Sequence, residues 1–287
     1  MARPEFRPKL ALTKKPLNFL PSTATLSIFK NTFRFPTIIL IGALLQIPLS
    51  AILPTRYAVL PALGLLLSSV VTTVTQVRNP LLNEYMRYVV PGRATAQVPS
   101  ASTASLGKFS SQPAEAPIII FNIGSQFNHP LGLLAPGIKE LGKRFSALER
   151  ELINRREELG MLGVSSWTGD ERASNSTIMI TCYFRDLESL HRFAHEPMHR
   201  DTTDWFNRKG YSHIGVFHET FCVPAKAYET IYLNCRPLLL GRAAVKVSTT
   251  EGDSEWANCL ADADTPVLKT QYSRLSCDET GKPKENE

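Results

Sequence analysis

The stretch HIGVFHETFCV (residues 213–223) is rich in aromatic and β-branched residues, a composition typical of a β-strand. Successive side chains of a strand point to opposite faces, so His218 shares a face with Ile214 and Val216, whereas Glu219 points to the other face. His218 is therefore a polar group among apolar neighbours, and it needs a hydrogen-bond partner if it is buried.

Three more strands and two helical regions precede this stretch, giving the order β-α-β-β-α-β. Apolar residues at spacings of three, four and seven predict an amphipathic helix, Asp186 is suited to cap the second helical region, and Pro197 ends that helix or opens another. This order is the ferredoxin-like plan. The predicted elements are a strand over 117–123, a helix over 137–161, strands over 162–168 and 176–184, helices starting near 186 and 197, and the strand over 213–223.

Helices cover only one face of the predicted sheet. An apolar sheet face must be buried against another layer, and domains of this plan commonly bury it against a second copy. We therefore expect a homodimer. The predicted fold class is α+β, with a ferredoxin-like dimeric α/β barrel domain over 116–247.

Two apolar runs, 37–53 and 57–75, lie upstream of this domain, and Arg56 is the one charged residue between 37 and 77. As helices they would reach roughly 25 and 28 Å, against a hydrocarbon core of about 30 Å. We expect a membrane hairpin over 36–78, either spanning or re-entrant, and a buried pair of core helices is the alternative. Basic residues on both flanks place the rest of the chain in the cytosol. The expected location is the endoplasmic reticulum membrane.

Charge is distributed unevenly along the chain. Residues 1–35 contain seven Lys and Arg against one Glu, and residues 248–287 contain nine acids against four bases. A basic segment beside an apolar one fits an anionic membrane surface, and no nucleic-acid-binding motif is present. We expect a basic cytosolic arm over 1–35, a flank and low-complexity linker over 79–115, and an acidic flexible tail over 248–287. Five cysteines without a CxxC motif suggest reduced thiols.

Two stretches, FAHEPMHRDTTDWFN (193–207) and HIGVFHETFCVPAKAYETIYLNC (213–235), carry a family resemblance. The sequence resembles the fungal family that includes the fumagillin-pathway monooxygenase, within the antibiotic-biosynthesis-monooxygenase type of dimeric α/β barrel. One departure is Arg236, where a second proline is expected. The resemblance implies oxygenation of a hydrophobic polyketide or terpenoid intermediate in secondary metabolism.

Relatives of this fold oxygenate electron-rich phenols or enols without a cofactor, so the resemblance implies O₂ as co-substrate. Such chemistry needs a base, a hydrogen-bond donor for the developing negative charge and an apolar pocket. Histidine suits the base because its pKa lies near neutral pH. The catalytic candidates are His199 and His218 as bases and Asn122 as donor, and a purely structural role is the alternative for each histidine.

Four further residues are candidates for substrate binding. Trp167 and Trp205 would line an aromatic pocket, with core packing as the alternative. Arg200 would hold an anionic group of the substrate, with a surface salt bridge as the alternative. His195 shares a helix face with His191, four residues away.

The sequence is also compatible with two other functions. One is an enzyme of the aldoxime-dehydratase type that binds haem through one axial histidine. The other is a non-enzymatic, membrane-tethered scaffold that presents a lipophilic intermediate to other pathway enzymes. No carboxylate has a metal-site spacing to the histidines, and no dinucleotide fingerprint is present, so neither a metal ion nor a bound dinucleotide is expected. The expected partners are a membrane, a small lipophilic substrate, a second copy and other pathway enzymes, but no nucleic acid.

Overall fold

The structure of the protein is a computed structural model, and it describes residues 6–17, 33, 35–105, 111–169, 177–248 and 253–282. The described residues form helices, strands and short 3₁₀ turns. The helices are α1 (Phe35–Ile52), α2 (Thr55–Ala58), α3 (Leu60–Arg78), α4 (Ala101–Ser105), α5 (Ile138–Asn154), α6 (Leu187–Ala194), α7 (Pro197–Lys209) and α8 (Gln271–Arg274). The strands are β1 (Val90–Ala96), β2 (Ile118–Phe127), β3 (Met161–Gly169), β4 (Thr177–Phe184), β5 (Ile214–Val223), β6 (Tyr232–Cys235), β7 (Ala244–Ser248), β8 (Ser254–Asn258) and β9 (Leu260–Asp262).

Strands β2 to β5 form one antiparallel sheet in the spatial order β3-β4-β2-β5. With α5 between β2 and β3, and α6 and α7 between β4 and β5, this is the predicted β-α-β-β-α-β order. A hairpin turn over 169–175 is predicted between β3 and β4, and all of it except Gly169 lies outside the described residues. The α+β class with antiparallel sheets is confirmed.

Local sequence signals set the helix ends. The Asp186 side chain accepts a hydrogen bond of 2.7 Å from the Ser189 N–H and so caps α6. Pro197 lies at the first turn of α7, where its missing N–H costs nothing, and it therefore opens a new helix. Gly210 ends α7 in the left-handed conformation, with φ of 58°.

The helices pack on one face of the sheet through the apolar stripe of α5. Leu148 and Leu152 of α5 meet Phe121 of β2, and Phe193 of α6 meets Phe184 of β4 with ring centroids 6.1 Å apart. These contacts form the helix-side core. Because β2 lies second from the edge and pairs with β4 and β5, its alternate side chains reach the centre of this core.

A second layer covers one end of the opposite sheet face, which differs from the predicted bare face. Strand β1 pairs with both β6 and β9, and β7 pairs with β8. Their apolar side chains pack on Ile118, Leu162 and Tyr183 of the main sheet. Gly163 of β3 permits this approach, because a Cβ there would lie 3.0 Å from the Ala243 nitrogen.

The second layer corrects two predicted domain boundaries. Residues 90–96, predicted as part of a linker, form a central strand, and Ala94 and Ala96 are buried. Residues 254–277, predicted as a flexible tail, contribute β8, β9 and the buried Leu268. Local periodicity missed β1 and β9 because their hydrogen-bonding partners lie more than 130 residues away in the chain, as in the pairing of Ala94 with Tyr232 and Asp262.

The two apolar runs form α1 and α3, and each run is long and apolar enough to cross a membrane. Neither helix buries a residue against the rest of the chain. A soluble pair of core helices would be buried, so the exposure of α1 and α3 favours the membrane alternative over core packing. The Gln46 side chain of α1 donates a hydrogen bond of 3.1 Å to the carbonyl of Ala58.

We predict that Leu260→Ala destabilises the protein by about 2–5 kcal/mol, because Leu260 is 1 % exposed in the core between the two layers. Leu233→Ala, at a leucine that is 60 % exposed, should change stability by less than about 0.5 kcal/mol. Urea unfolding followed by circular dichroism measures both values. Equal, small effects of the two substitutions would contradict the second core.

Candidate active site

An apolar cavity of about 130 Å³ lies between the sheet and the helices α5 and α7. Its walls include Phe121 and Ile123 of β2, Leu148 of α5 and Phe206 of α7. An engineered apolar cavity of about 150 Å³ stays dry and binds benzene. The cavity is therefore large enough for one ring or one branched end of a lipophilic molecule.

Few polar side chains line the cavity, and several of them are already engaged. The hydroxyl of Thr202 donates to the Met198 carbonyl, and that of Thr203 donates to the His199 carbonyl, at 2.8 and 3.1 Å. Cys182 is fully buried, and burial raises its thiol pKa to about 12, so it stays protonated. Glu149 and His199 are the other titratable groups of the lining.

His199 lies in the first half of α7, and its half-buried ring packs edge-on against Phe193 with centroids 5.4 Å apart. Burial lowers the pKa of His199 below its ordinary value of 6.5, and the nearby His195 and His218 act in the same direction, although a hydrogen bond with the Ala194 backbone opposes them. His199 is consequently neutral at pH 7. A neutral imidazole can accept a proton from a molecule in the cavity.

Glu149 is a lining residue that sequence reasoning missed. It lies beside Leu148 on α5 and accepts a hydrogen bond of 3.3 Å from the Ser166 hydroxyl. Burial raises the pKa of Glu149 above 4.5, with Ser166 and Arg242 opposing the shift. Its position between the inward-facing Leu148 and Leu152 is the one signal of it in the sequence.

The other predicted histidines lie outside the cavity lining. His218 is exposed on the edge strand β5, on the same face as the cavity, with its ring 5.8 Å from that of Phe121. His195 is exposed and has its Nδ1 2.7 Å from the His191 carbonyl oxygen. Arg200 is also exposed. Of the predicted basic residues, His199 alone lines this cavity.

Asn122 lies on the opposite sheet face, because its neighbours Phe121 and Ile123 both point into the cavity. Its Oδ1 atom is buried and accepts no hydrogen bond from the described part of the chain. Trp167, 36 % exposed, is likewise absent from the cavity lining. The structure therefore corrects the prediction that Asn122 and His199 share one site.

Trp205 is buried in a separate cluster with Phe127, Leu141 and Ile214. Its ring lies under the guanidinium of Arg144, 5.0 Å from the ring centroid. This contact is a cation–π interaction between α7 and α5. Trp205 thus joins two helices beside the cavity and does not line it.

A haem group does not fit the cavity in this structure. His199 would be the axial ligand, because it is the histidine that faces the cavity. A pocket for a drug-sized ligand has a volume of about 300–1,000 Å³, well above 130 Å³. A porphyrin would require α5 and α7 to separate from the sheet. Among the described residues, no three His, Cys, Asp or Glu side chains converge as a metal site.

Comparison with known proteins identifies the family. The model of the monooxygenase af470-like family matches residues 118–240. Monooxygenase af470 of Aspergillus fumigatus is 42% identical over 274 residues, which covers 95% of this chain and 98% of the relative. The chain belongs to the monooxygenase af470-like family. It is a monooxygenase by that membership, and the resemblance seen in the sequence is confirmed.

Two solved structures match parts of this chain at low identity. An aldoxime dehydratase in complex with butyraldoxime is 17% identical with a TM-score of 0.41, and the match covers 55% of this chain and 42% of that enzyme. SnoaB, a cofactor-independent oxygenase from Streptomyces nogalater, is 12% identical with a TM-score of 0.28, and the match covers 37% of this chain and 92% of that protein. This chain thus spans less than half of the aldoxime dehydratase.

Proposed function

We propose that the protein oxygenates a lipophilic substrate in the cavity between the sheet and α5 and α7, without a bound cofactor and with O₂ as co-substrate. The observation that carries this proposal is the placement of His199, whose pKa is lowered by burial, in a mostly apolar cavity whose other ionisable lining residues are Glu149 and Cys182. The cavity of about 130 Å³ would take one ring or one branched end of a polyketide or terpenoid intermediate, the substrate class expected from the family resemblance, and the rest of the molecule would lie outside it.

His199 acts as the base in this proposal. It removes a proton from a phenol or enol of the substrate, and the resulting anion passes an electron to O₂. The apolar walls exclude water, which strengthens the interaction between the new imidazolium and the substrate anion. Glu149, whose pKa is raised by burial, is the second group of the cavity that can give or take a proton.

We predict that His199→Gln lowers kcat by about 10²–10⁴-fold while the thermal midpoint changes little, because a general base of this kind contributes about that factor. His191→Gln replaces an exposed histidine of α6 and should retain activity within about twofold. The assay is O₂ consumption with the lipophilic precursor that accumulates in cells lacking the gene. Full activity of a folded His199→Gln variant would favour the non-enzymatic scaffold.

The proposed base also predicts how kcat/KM of the unaltered enzyme changes with pH. A base works in its neutral form, so kcat/KM should fall as the pH drops through the pKa of His199. Because burial lowers that pKa, the acidic limb should lie below pH 6.5. His199→Gln should lack this limb.

We propose that α1 and α3 anchor the chain in a membrane, with the ferredoxin-like domain on the cytosolic face of the endoplasmic reticulum. Both helices expose apolar side chains along their length. After α3, Leu81 and Tyr85 are 94% and 83% exposed, and the guanidiniums of Arg87 and Arg236 lie 4.9 and 5.7 Å from the Tyr88 ring centroid. Tyrosine and arginine beside exposed leucine are typical of a membrane interface.

We predict that the double variant Leu44→Arg/Leu66→Arg loses membrane association, since each arginine costs about 2.5–3.5 kcal/mol at the centre of a membrane helix. Leu134→Arg, at a leucine that is 68% exposed outside these helices, should stay in the membrane fraction. Alkaline carbonate extraction distinguishes them.

Glycosylation of the Asn175 sequon, which lies outside the described residues, would contradict the cytosolic orientation.

We also propose that two copies pair through the part of the second sheet face that the second layer leaves open. Phe217 and Phe221 are 38% and 48% exposed there, and Trp167 is 36% exposed. A Cβ at Gly124 would lie 2.3 Å from Phe217, so the phenyl ring lies directly over this glycine. Large apolar side chains grouped on one face favour a protein–protein contact. β5 also lies at the sheet edge.

We predict that Phe221→Glu converts a dimer into a monomer, because the substitution replaces an exposed apolar ring by a second carboxylate beside Glu219 on the proposed contact face. Leu134→Glu replaces an exposed leucine on a 3₁₀ turn away from this face and should leave the mass unchanged. Light scattering of the detergent-solubilised protein measures the mass. A monomeric unaltered protein would contradict the proposal.

A further inference from the structure

A second and larger cavity of about 880 Å³ lies beyond the C-terminal end of α5, against the edge strand β3. We call it the arginine groove. Its walls combine apolar side chains, among them Ile153, Met161 and Trp256, with the guanidiniums of Arg156 and Arg242. Its volume falls within the range of about 300–1,000 Å³ found for small-molecule sites.

Arg156 is a buried cation without an acidic partner. It is 7% exposed, and no carboxylate of the described residues lies within 4 Å of it. Its side chain donates to the backbone carbonyl of Leu162 and, at 3.5 Å, to that of Ala244, and its guanidinium lies 5.1 Å from the Trp256 ring centroid. Its Nε–H is buried and has no acceptor in the described part of the chain.

Burial lowers the pKa of Arg156 to about 10, so the guanidinium is still charged at pH 7. A buried charge without a counter-charge costs several kcal/mol, and proteins generally pair such groups. The two carbonyl oxygens and the Trp256 ring supply partial negative charge only. In the described part of the chain, the positive charge of Arg156 therefore lacks a negative counter-charge, which a bound anion would supply.

Arg242 extends the same positive region. It is half-buried, it donates to the carbonyls of Pro237 and Val164 at 3.0 and 3.3 Å, and it forms no ion pair within 4 Å among the described residues. Arg155 also borders the groove, but its charge is balanced by carboxylates of Glu151, Glu158 and Glu196. Among the described residues, Arg156 is thus the unpaired buried cation of the groove, and two further cations line it: Arg242, which interacts electrostatically with Glu149, and Lys15.

We propose that the arginine groove binds an amphipathic organic carboxylate, with its anionic group on Arg156 and Arg242 and its apolar body against Ile153, Met161 and Trp256. A planar guanidinium binds a carboxylate through two parallel hydrogen bonds, and the Nε–H of Arg156 is a buried donor that has no acceptor among the described residues. A groove of 880 Å³ holds far more than a small inorganic ion, and its apolar walls select a molecule with a hydrocarbon part.

This site is distinct from the oxygenation cavity, because Arg156 and Arg242 do not line that cavity and His199 does not line the groove. The two cavities share Val164 of β3 as a common wall. Binding to the groove is measured without turnover. If no ligand binds to the groove, the proposed oxygenation is unaffected. If the oxygenation proposal fails, binding to the groove is likewise unaffected.

The test uses the full chain in discs of neutral phosphatidylcholine, with empty discs as the blank. Octanoate, octan-1-ol and inorganic phosphate are titrated separately by calorimetry. We expect saturable binding of octanoate, at least tenfold tighter than that of either octan-1-ol or phosphate. Equal binding of octan-1-ol would overturn the role of the arginines, and equal binding of phosphate would overturn the role of the apolar walls.

Variants locate the site. Arg242→Gln should weaken octanoate binding at least tenfold, and Arg156→Lys, which retains the charge but loses the planar fork, should also weaken it. Arg150→Gln is the matched control, because Arg150 is an exposed arginine of α5 that donates to the Ser146 carbonyl and lies outside the groove. Undiminished binding by Arg242→Gln would contradict the proposal. The comparison of octanoate with octan-1-ol needs no variant, so it stands even if one fails to fold.

Discussion

The alternation of side chains along β2 is the constraint on which the rest of the structure depends. Phe121 and Ile123 point to the helices and line the oxygenation cavity, whereas Ile118 and Asn122 point to the opposite face. Because β2 pairs with both β4 and β5, a shift of its register by one residue would exchange the two faces at the centre of the sheet. The apolar enclosure around His199 would then disappear.

The same alternation explains which parts of the fold and site can be read from the sequence. The order β-α-β-β-α-β and the face of His218 follow from local periods of about 3.6 and 2 residues. The second layer does not, because the pairing of β1 with β6 and β9 joins segments far apart in the chain, and its buried residues are small and weakly periodic. Asn122 was placed with His199 because a lone amide in an apolar strand indicates burial without indicating the face.

Burial in the cavity changes the pKa values of its two candidate proton-transfer residues. In water a histidine and a glutamate would differ in charge at pH 7, and the environment of the cavity shifts the pKa of His199 down and that of Glu149 up. Both shifts favour the neutral forms, which suits a site that holds an uncharged lipophilic molecule. An anchor such as α1 and α3 would place this site beside the bilayer in which such a molecule dissolves. Delivery of substrate from the membrane is consistent with an enclosed, apolar site.

The central claim is that the substrate binds between the sheet and the helices. A crystal structure of the protein with phenol, prepared without O₂ so that no oxygenation can follow, tests this claim most directly. The account predicts phenol between Phe121 and Leu148, with its hydroxyl toward His199. Phenol bound on the opposite face beside Asn122, with the helix-side cavity empty, would contradict it.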